Sequence, residues 1–240
     1  MFSLLALAAL AAVTQSYPDC EFTAERSANV AIASSDVLDL IARSGSLVVE
    51  GRPGVAEVRI RGRACASSES LLDRLVIETG RSGGRVRVEV PEMDWDDSFF
   101  GNRYASLDLV IEVPEGMAAN IDDGSGEAEI RGVGPLRITD GSGELRLIDI
   151  RGDVTIDDGS GEVEIAQVDG DVIVEDGSGQ LDIRDVTGSV TIDDGSGSIA
   201  VSGVRGDFVV RDDGSGGISH DNVAGTVDIP LKDRARRRRR

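Results

Sequence analysis

Aromatic side chains are scarce in this chain, at 3% of 240 residues, with a single Trp and two Tyr. A wide globular core needs bulky rings to fill it. The apolar content here is mostly Val, Ile, Leu and Ala, which suits a narrow core between thin sheets. Histidine occurs once and cysteine twice. That is too few nitrogen and sulfur donors for a zinc centre, and the C-terminal half holds no thiol for nucleophilic catalysis. Six prolines against thirty glycines fit many tight turns rather than a disordered chain. The apolar run at the start of the chain is too short for a membrane-spanning helix.

Positive charge is also in deficit: 25 basic residues stand against 44 acidic ones, for a net charge of −19. An acidic body of this size repels nucleic acid and anionic membrane, and attracts cations or basic partners. The exception is the last nine residues, 232–240, which carry a net +6. Arg234, Arg236, Arg237, Arg238, Arg239 and Arg240 form a basic tail expected to be disordered. It is suited to contacting anionic envelope groups.

Residues 1–16, MFSLLALAALAAVTQS, carry no charged side chain and read as a secretory signal peptide. The residues before Cys20 (Tyr17, Pro18 and Asp19) are not the small ones a lipoprotein signal needs, so a lipid anchor is not expected. Export places the protein in the periplasm or on the cell surface. In that oxidising compartment Cys20 and Cys65 pair as one disulfide, the alternative being two unpaired thiols.

What the chain has in abundance is one tetrapeptide. DGSG recurs six times, with aspartates Asp123, Asp140, Asp158, Asp176, Asp194 and Asp213, at steps of 17 to 19 residues. A period that regular, with strand-like residues between copies, predicts stacked coils. In DVTIDDGSGEVEIAQVDG, Val154 and Ile156 alternate with polar residues, as do Val163 and Ile165, and Val168 adds a fifth apolar position. Each coil therefore reads as strand, DGSG turn, strand, second turn. Aligning all coils gives five columns, and 31 of their 32 positions are apolar. The exception is His220, expected to be an end-cap residue. The fold class is all-β: a parallel β-solenoid (β-helix) of ~18-residue coils with an N-terminal degenerate β capping region.

Four segments follow: a signal peptide at 1–16, the capping β region at 17–117, the solenoid at 118–231 and the basic tail at 232–240. In the cap, strands are expected at Ala28–Ala33, Leu47–Glu50, Val55–Arg61, Leu75–Glu78, Arg85–Val90 and Leu107–Val113. Short helices are expected near Ser35–Ile41 and Ser67–Leu72. SGSLVVEG from Ser44 echoes SGELRLID from Ser142. The half coil Thr226–Leu231, with Pro230 removing a backbone donor, is expected to finish the other end.

GDVTIDDGSGEVEI and GSVTIDDGSGSIAV, behind a signal peptide, resemble the bacterial "putative adhesin" domain family over about residues 20–230. That resemblance implies a β-solenoid and attachment at the cell surface or envelope. It supplies no catalytic residues.

The aspartate of each DGSG suits an Asx turn, capping the serine amide while both glycines take positive φ. As a ladder the six carboxylates form an acidic edge. They are also the candidate metal ligands, because hard oxygens ~4.8 Å apart suit Ca²⁺. Calcium is the one cofactor these residues suggest. The serine ladder Ser125 to Ser215 reads as turn-filling. The loop 93–104, MDWDDSFFGNRY, concentrates aromatics in an aromatic-poor chain. There Trp95, Phe99 and Phe100 either bind a partner, such as a protein or polysaccharide, or plug the end of the core. The two Arg-Gly-Asp triplets, from Arg151 and from Arg205, sit where the coil pattern already demands glycine.

The function expected is non-enzymatic: an exported, monomeric interaction scaffold at the envelope or surface. One alternative is a Ca²⁺-stabilised acidic spacer. The other is a polysaccharide-active solenoid enzyme, but such chemistry needs carboxylates in unlike environments, and here the acids repeat uniformly.

Overall fold

The structure is a computed structural model describing residues 20–93 and 103–230. Period-two alternation sets its plan. In the coil that begins at Asp153, the side chains of Val154, Ile156 and Asp158 point inward and are buried, while Thr155 and Asp157 face outward. After the turn, Val163 and Ile165 point inward, followed by Val168. Each fully buried aliphatic contributes about 1.5–3 kcal/mol. Stacking repeats that contribution coil after coil.

The N-terminal region contains β1 (Phe22–Ala31), β2 (Val37–Ile41), β3 (Leu47–Arg52), β4 (Glu57–Ala66), α1 (Glu69–Leu72), β5 (Glu78–Ser82), β6 (Arg85–Glu89) and β7 (Ala105–Pro114). The rod then alternates short and longer strands: β8 (Ala119–Asp123), β9 (Gly126–Arg131), β10 (Leu136–Asp140), β11 (Gly143–Ile150), β12 (Val154–Asp158), β13 (Gly161–Val168) and β14 (Val172–Asp176). It continues through β15 (Gly179–Val186), β16 (Val190–Asp194), β17 (Gly197–Val204), β18 (Phe208–Asp213), β19 (Gly216–Val223) and β20 (Val227–Asp228).

These strands form two ten-stranded sheets, ordered β1-β4-β7-β3-β9-β11-β13-β15-β17-β19 and β20-β18-β16-β14-β12-β10-β8-β2-β6-β5. From β8 to β20 all pairing is parallel, residue on equivalent residue, as with Ile138 beside Ile156 and Ile156 beside Val174. The five expected columns are buried through the coil of Phe208 and Val210, but in the last rung Ile218 and Val223 are half-exposed and His220 is exposed. The His220 ring lies 6.0 Å from that of Phe208. Among the described residues the final half coil is the two-residue β20, paired to β18.

The two glycines of each turn serve different needs. Gly161 has φ +151°, and a Cβ there would lie 1.8 Å from the Gly143 carbonyl oxygen of the coil before. Gly159 does not have positive φ; it is glycine because a Cβ would lie 2.5 Å from the Gly141 oxygen. The expectation that both take positive φ is thus corrected for the first glycine. The second turn has its own left-handed position, held by Asp149 (φ 56°), Gln167 (φ 60°), Asp185 (φ 59°) and Asn222 (φ 53°). Asp and Asn tolerate that region because their short polar side chains bond locally.

The N-terminal region is continuous with both sheets. The echo at Ser44 is a true coil: β2 and β3 stack directly on β8 and β9, and Ser44 bridges Ser125. The helix expected near Ser35–Ile41 is instead β2, because VLDLI alternates and drives Leu38 and Leu40 into the core. The short helix after Ser67 forms as Glu69–Leu72, with the Ser68 hydroxyl accepting from the Leu71 amide. The strand expected at Leu75–Glu78 lies later, at Glu78–Ser82, hairpinned to β6, while Leu75 is buried after the helix.

A further coil, β6 with β7, stacks outside β2 and β3. Spatial order therefore departs from chain order, since the coil at 37–52 lies between the one at 85–114 and the rod. Antiparallel β4 and β1 then close one edge, and the Cys20–Cys65 disulfide ties their ends, with Cα atoms 5.7 Å apart.

Candidate functional site: the buried aspartate ladder

The DGSG aspartates are the third inward residue of their strands, two positions beyond Ile121, Ile138, Ile156, Val174 and Ile192, with one extra residue before Asp213. They stack in register: Asp123 beside Asp140, Asp140 beside Asp158, and so on to Asp194 beside Asp213. Their exposures run from 1% at Asp194 to 8% at Asp213. The expected acidic edge is therefore a buried column. The exposed acids are their chain neighbours: Asp122, Asp157, Glu175, Asp193 and Asp212.

The Asx-turn role is present in part. The amides of Ser178 and Ser196 donate to Oδ1 of Asp176 (3.1 Å) and Asp194 (3.0 Å). The second oxygen of each finds no N–H or O–H donor, nor does either oxygen of Asp158, while Asp123 is approached only by the Gly124 amide and Asp140 by those of Gly141 and Ser142, without a well-formed hydrogen bond. Like charges ~4.8 Å apart repel by about 1 kcal/mol even in bulk water, and by more in a protein interior. Burial and these neighbours act together on protonation. Removal from water, then the charge of Asp140, pushes Asp123 up to about 7. Removal from water, then Asp176, pushes Asp194 up to about 6. Asp158 is pushed up to about 7, first by burial and then by the charges of Asp140 and Asp176, and Asp176 is also raised first by burial. Asp140 is also raised by burial, against the opposing pull of Asp158 and the Ser142 and Gly141 amides.

Among the described residues no group of three or more His, Cys, Asp or Glu side chains is gathered closely enough to hold a metal ion. Each gap in the ladder offers two carboxyls, whereas calcium takes six to eight oxygens. Only parity could have shown from sequence that these aspartates face inward. A charged residue two places past an aliphatic one still continues the inward face.

The remaining candidates separate in space. Trp95, Phe99 and Phe100 lie outside the described residues, as do residues 1–16, expected as a signal peptide, and Arg234, Arg236, Arg237, Arg238, Arg239 and Arg240. The aromatic loop joins β6 to β7, where later coils carry DGSG. At its flanks Met93 packs on the core, and the Glu21 amide donates to the Tyr104 hydroxyl at 2.9 Å. Both Arg-Gly-Asp triplets are spent on stacking: Asp153 accepts from the Asp171 amide (3.0 Å) and Asp207 from the Thr226 amide (2.7 Å). Arg151 pairs with Glu115 at 2.8 Å. The outer face of the rod carries a cross-coil ion pair, with Glu164 bound to both Arg146 and Arg184.

No protein-family model and no curated protein matches the sequence. Among solved structures, the chain is similar to a "putative cell adhesion protein" from Clostridium sporogenes, at 13% identity and TM-score 0.40, over 88% of this chain and all of that one. It is similar to a "putative adhesin" from Bacteroides fragilis, at 13% identity and TM-score 0.43, over 87% and 97%. A third, a "putative lipid binding protein" from Parabacteroides distasonis, matches at 16% identity and TM-score 0.39, over 86% and 97%. Likeness at this level assigns neither activity nor partner.

Proposed function

We propose that the protein is an exported, non-enzymatic interaction scaffold of the cell envelope or surface. The observation that carries this reading is the uniformity of the rod. From β8 to β17 every coil repeats the same turn and the same inward columns, while the outward residues vary and are mostly polar or charged, which provides an extended surface. Acid–base catalysis needs two groups in unlike environments that reach a substrate. The carboxyls with raised protonation here are shut inside the rod. The Cys20–Cys65 bridge supports an oxidising compartment, and no helix among the described residues is long and apolar enough to cross a membrane.

The partner proposed is an envelope or surface component, protein or polysaccharide, that meets the exposed face of the coils or the aromatic loop, with the basic tail contacting anionic groups. Fractionation of cells expressing the full chain should recover it outside the cytoplasm and bound to envelope material at low salt, with less bound after deletion of residues 232–240. A soluble cytoplasmic protein, or one that degrades acidic polysaccharide in vitro, would overturn the reading.

A further inference from the structure

The ladder poses a question that scaffolding does not answer: what neutralises six stacked carboxyls inside an aliphatic core. Its surroundings supply no cation from within. The opposing strands turn Ala128, Leu145, Val163, Leu181 and Ile199 inward, none of them titratable. On the ladder's own strands the charged neighbours face outward: the acids Asp122, Asp157, Glu175 and Asp193, the exposed Arg137 on β10, and Arg211 and Asp212 on β18. At the N-terminal end the ladder stops on Ala42, which fills the equivalent place in the coil of β2 and is 4% exposed. The next residue, Arg43, touches the first DGSG turn through its backbone, its carbonyl accepting from the Ser125 amide at 2.9 Å. At the far end His220 is exposed.

The carboxyls can, however, neutralise one another. Asp140, Asp158, Asp176 and Asp194 are direct in-register partners on adjacent parallel strands, ~4.8 Å from coil to coil. Buried oxygens of Asp140, Asp158, Asp176 and Asp194 lack a well-formed amide or hydroxyl bond, and a neighbouring carboxyl can bond to them only when one of the two is protonated. One proton held between two neighbouring carboxyls relieves the repulsion of that pair, so protons on alternate rungs serve the whole column.

We propose that the ladder is a proton-bound lock, in which alternate rungs hold protons shared with the carboxylates above and below, so that the rod tightens in mild acid and loosens as those protons leave. The direction follows from linkage. A carboxyl whose folded pKa is raised binds more protons folded than unfolded, so stability falls as pH rises from the unfolded value near 4 toward about 7. Asp36, Glu50 and Glu164 behave oppositely. Arg81 lowers Asp36, the Arg131 and Arg52 pairs lower Glu50 against its burial, and Arg146 and Arg184 lower Glu164. Their contribution disappears only below about pH 4, outside the window in question.

The test compares thermal melting of the full chain at about pH 5 and about pH 8 in wild type and two triple variants. Wild type should melt several degrees lower at the higher pH. Asp123→Asn/Asp158→Asn/Asp194→Asn, which fixes alternate rungs as neutral amides, should lose most of that drop. The variant Asp157→Asn/Glu175→Gln/Asp193→Asn, which removes the same charge from the outer face, should keep it. No drop in wild type, or a drop removed equally by both variants, overturns the proposal. So does recovery of wild-type melting at the higher pH by millimolar Ca²⁺, which would make the ladder's counter-charge a metal ion. Infrared spectroscopy of wild type gives a reading that needs no variant. At neutral pH a protonated-carboxyl C=O band should be present and should fade on further titration with base, and its absence at neutral pH overturns the proposal.

Discussion

The rod and the cap are built of the same sheets but hold their strands in place by different means. In the rod each strand lies on the one about 18 residues earlier, and register is fixed by backbone approach: the turn glycines seat directly on the carbonyls beneath. In the cap, neighbours in space are distant in sequence. Register there is fixed by antiparallel pairing, a disulfide and a group of ion pairs in which Glu50 binds Arg52 and Arg131 while Arg59 and Arg61 lie near Glu112. The difference teaches where each region is fragile. The rod fails at a methyl group in a turn, the cap at a covalent tie.

That contrast can be broken most forcefully in the turns. Gly161→Val should cost ~5 kcal/mol or prevent folding, because the new side chain meets the Gly143 carbonyl head-on in a left-handed backbone. Gly80→Ala, in the cap strand β5 where a Cβ meets nothing within 4 Å, should stay within about 0.5 kcal/mol by urea unfolding. Equal losses at the two positions would erase the distinction. Next in size is the disulfide. Replacing Cys20 and Cys65 by Ser frees a loop with a sequence separation of 45, worth about 4 kcal/mol in chain-entropy terms. Hydrogen exchange should rise in β1 and β4 while β11 to β17 stay protected, and uniform loss along the molecule would show the rod to depend on the cap's tie. Smallest is Ala42→Asp, which extends the ladder by one rung into the cap. It should destabilise by about 1–3 kcal/mol at pH 8 and by less at pH 5, and an effect independent of pH would mean the new carboxyl stays unprotonated or escapes to solvent.

Much of this was legible because repetition lets a sequence be read against itself. The five aliphatic columns, the parallel stacking and the extra coil at Ser44 follow from residues that recur at equal places. Asp158 was open to the same reading, since it continues the parity of Val154 and Ile156. Its charge argued for the surface, and only stacking shows how a buried carboxyl can be accommodated among its own kind. Where repetition stops, legibility stops with it. Nothing in Val37–Ile41 or Arg85–Glu89 says which stacks against the rod, because both alternate and both bury two aliphatics. The order is decided by the chain's return through β7, a long-range packing choice that leaves no local mark. The helix expected at Ser35–Ile41 failed for a different reason: VLDLI alternates as a strand does, and its backbone pairs with strands more than forty positions away.

The interleaved coil also sets a schedule. Loop closure over a few residues is fast, and rods whose contacts are nearly all local can form rung after rung. The coil at 37–52 has no such freedom: one of its parallel neighbours is 85–114, the other 119–131. A chain emerging N-terminus first must hold those aliphatic strands unpaired until the sequence that flanks them has followed. From then on, each new coil has a finished edge to land on.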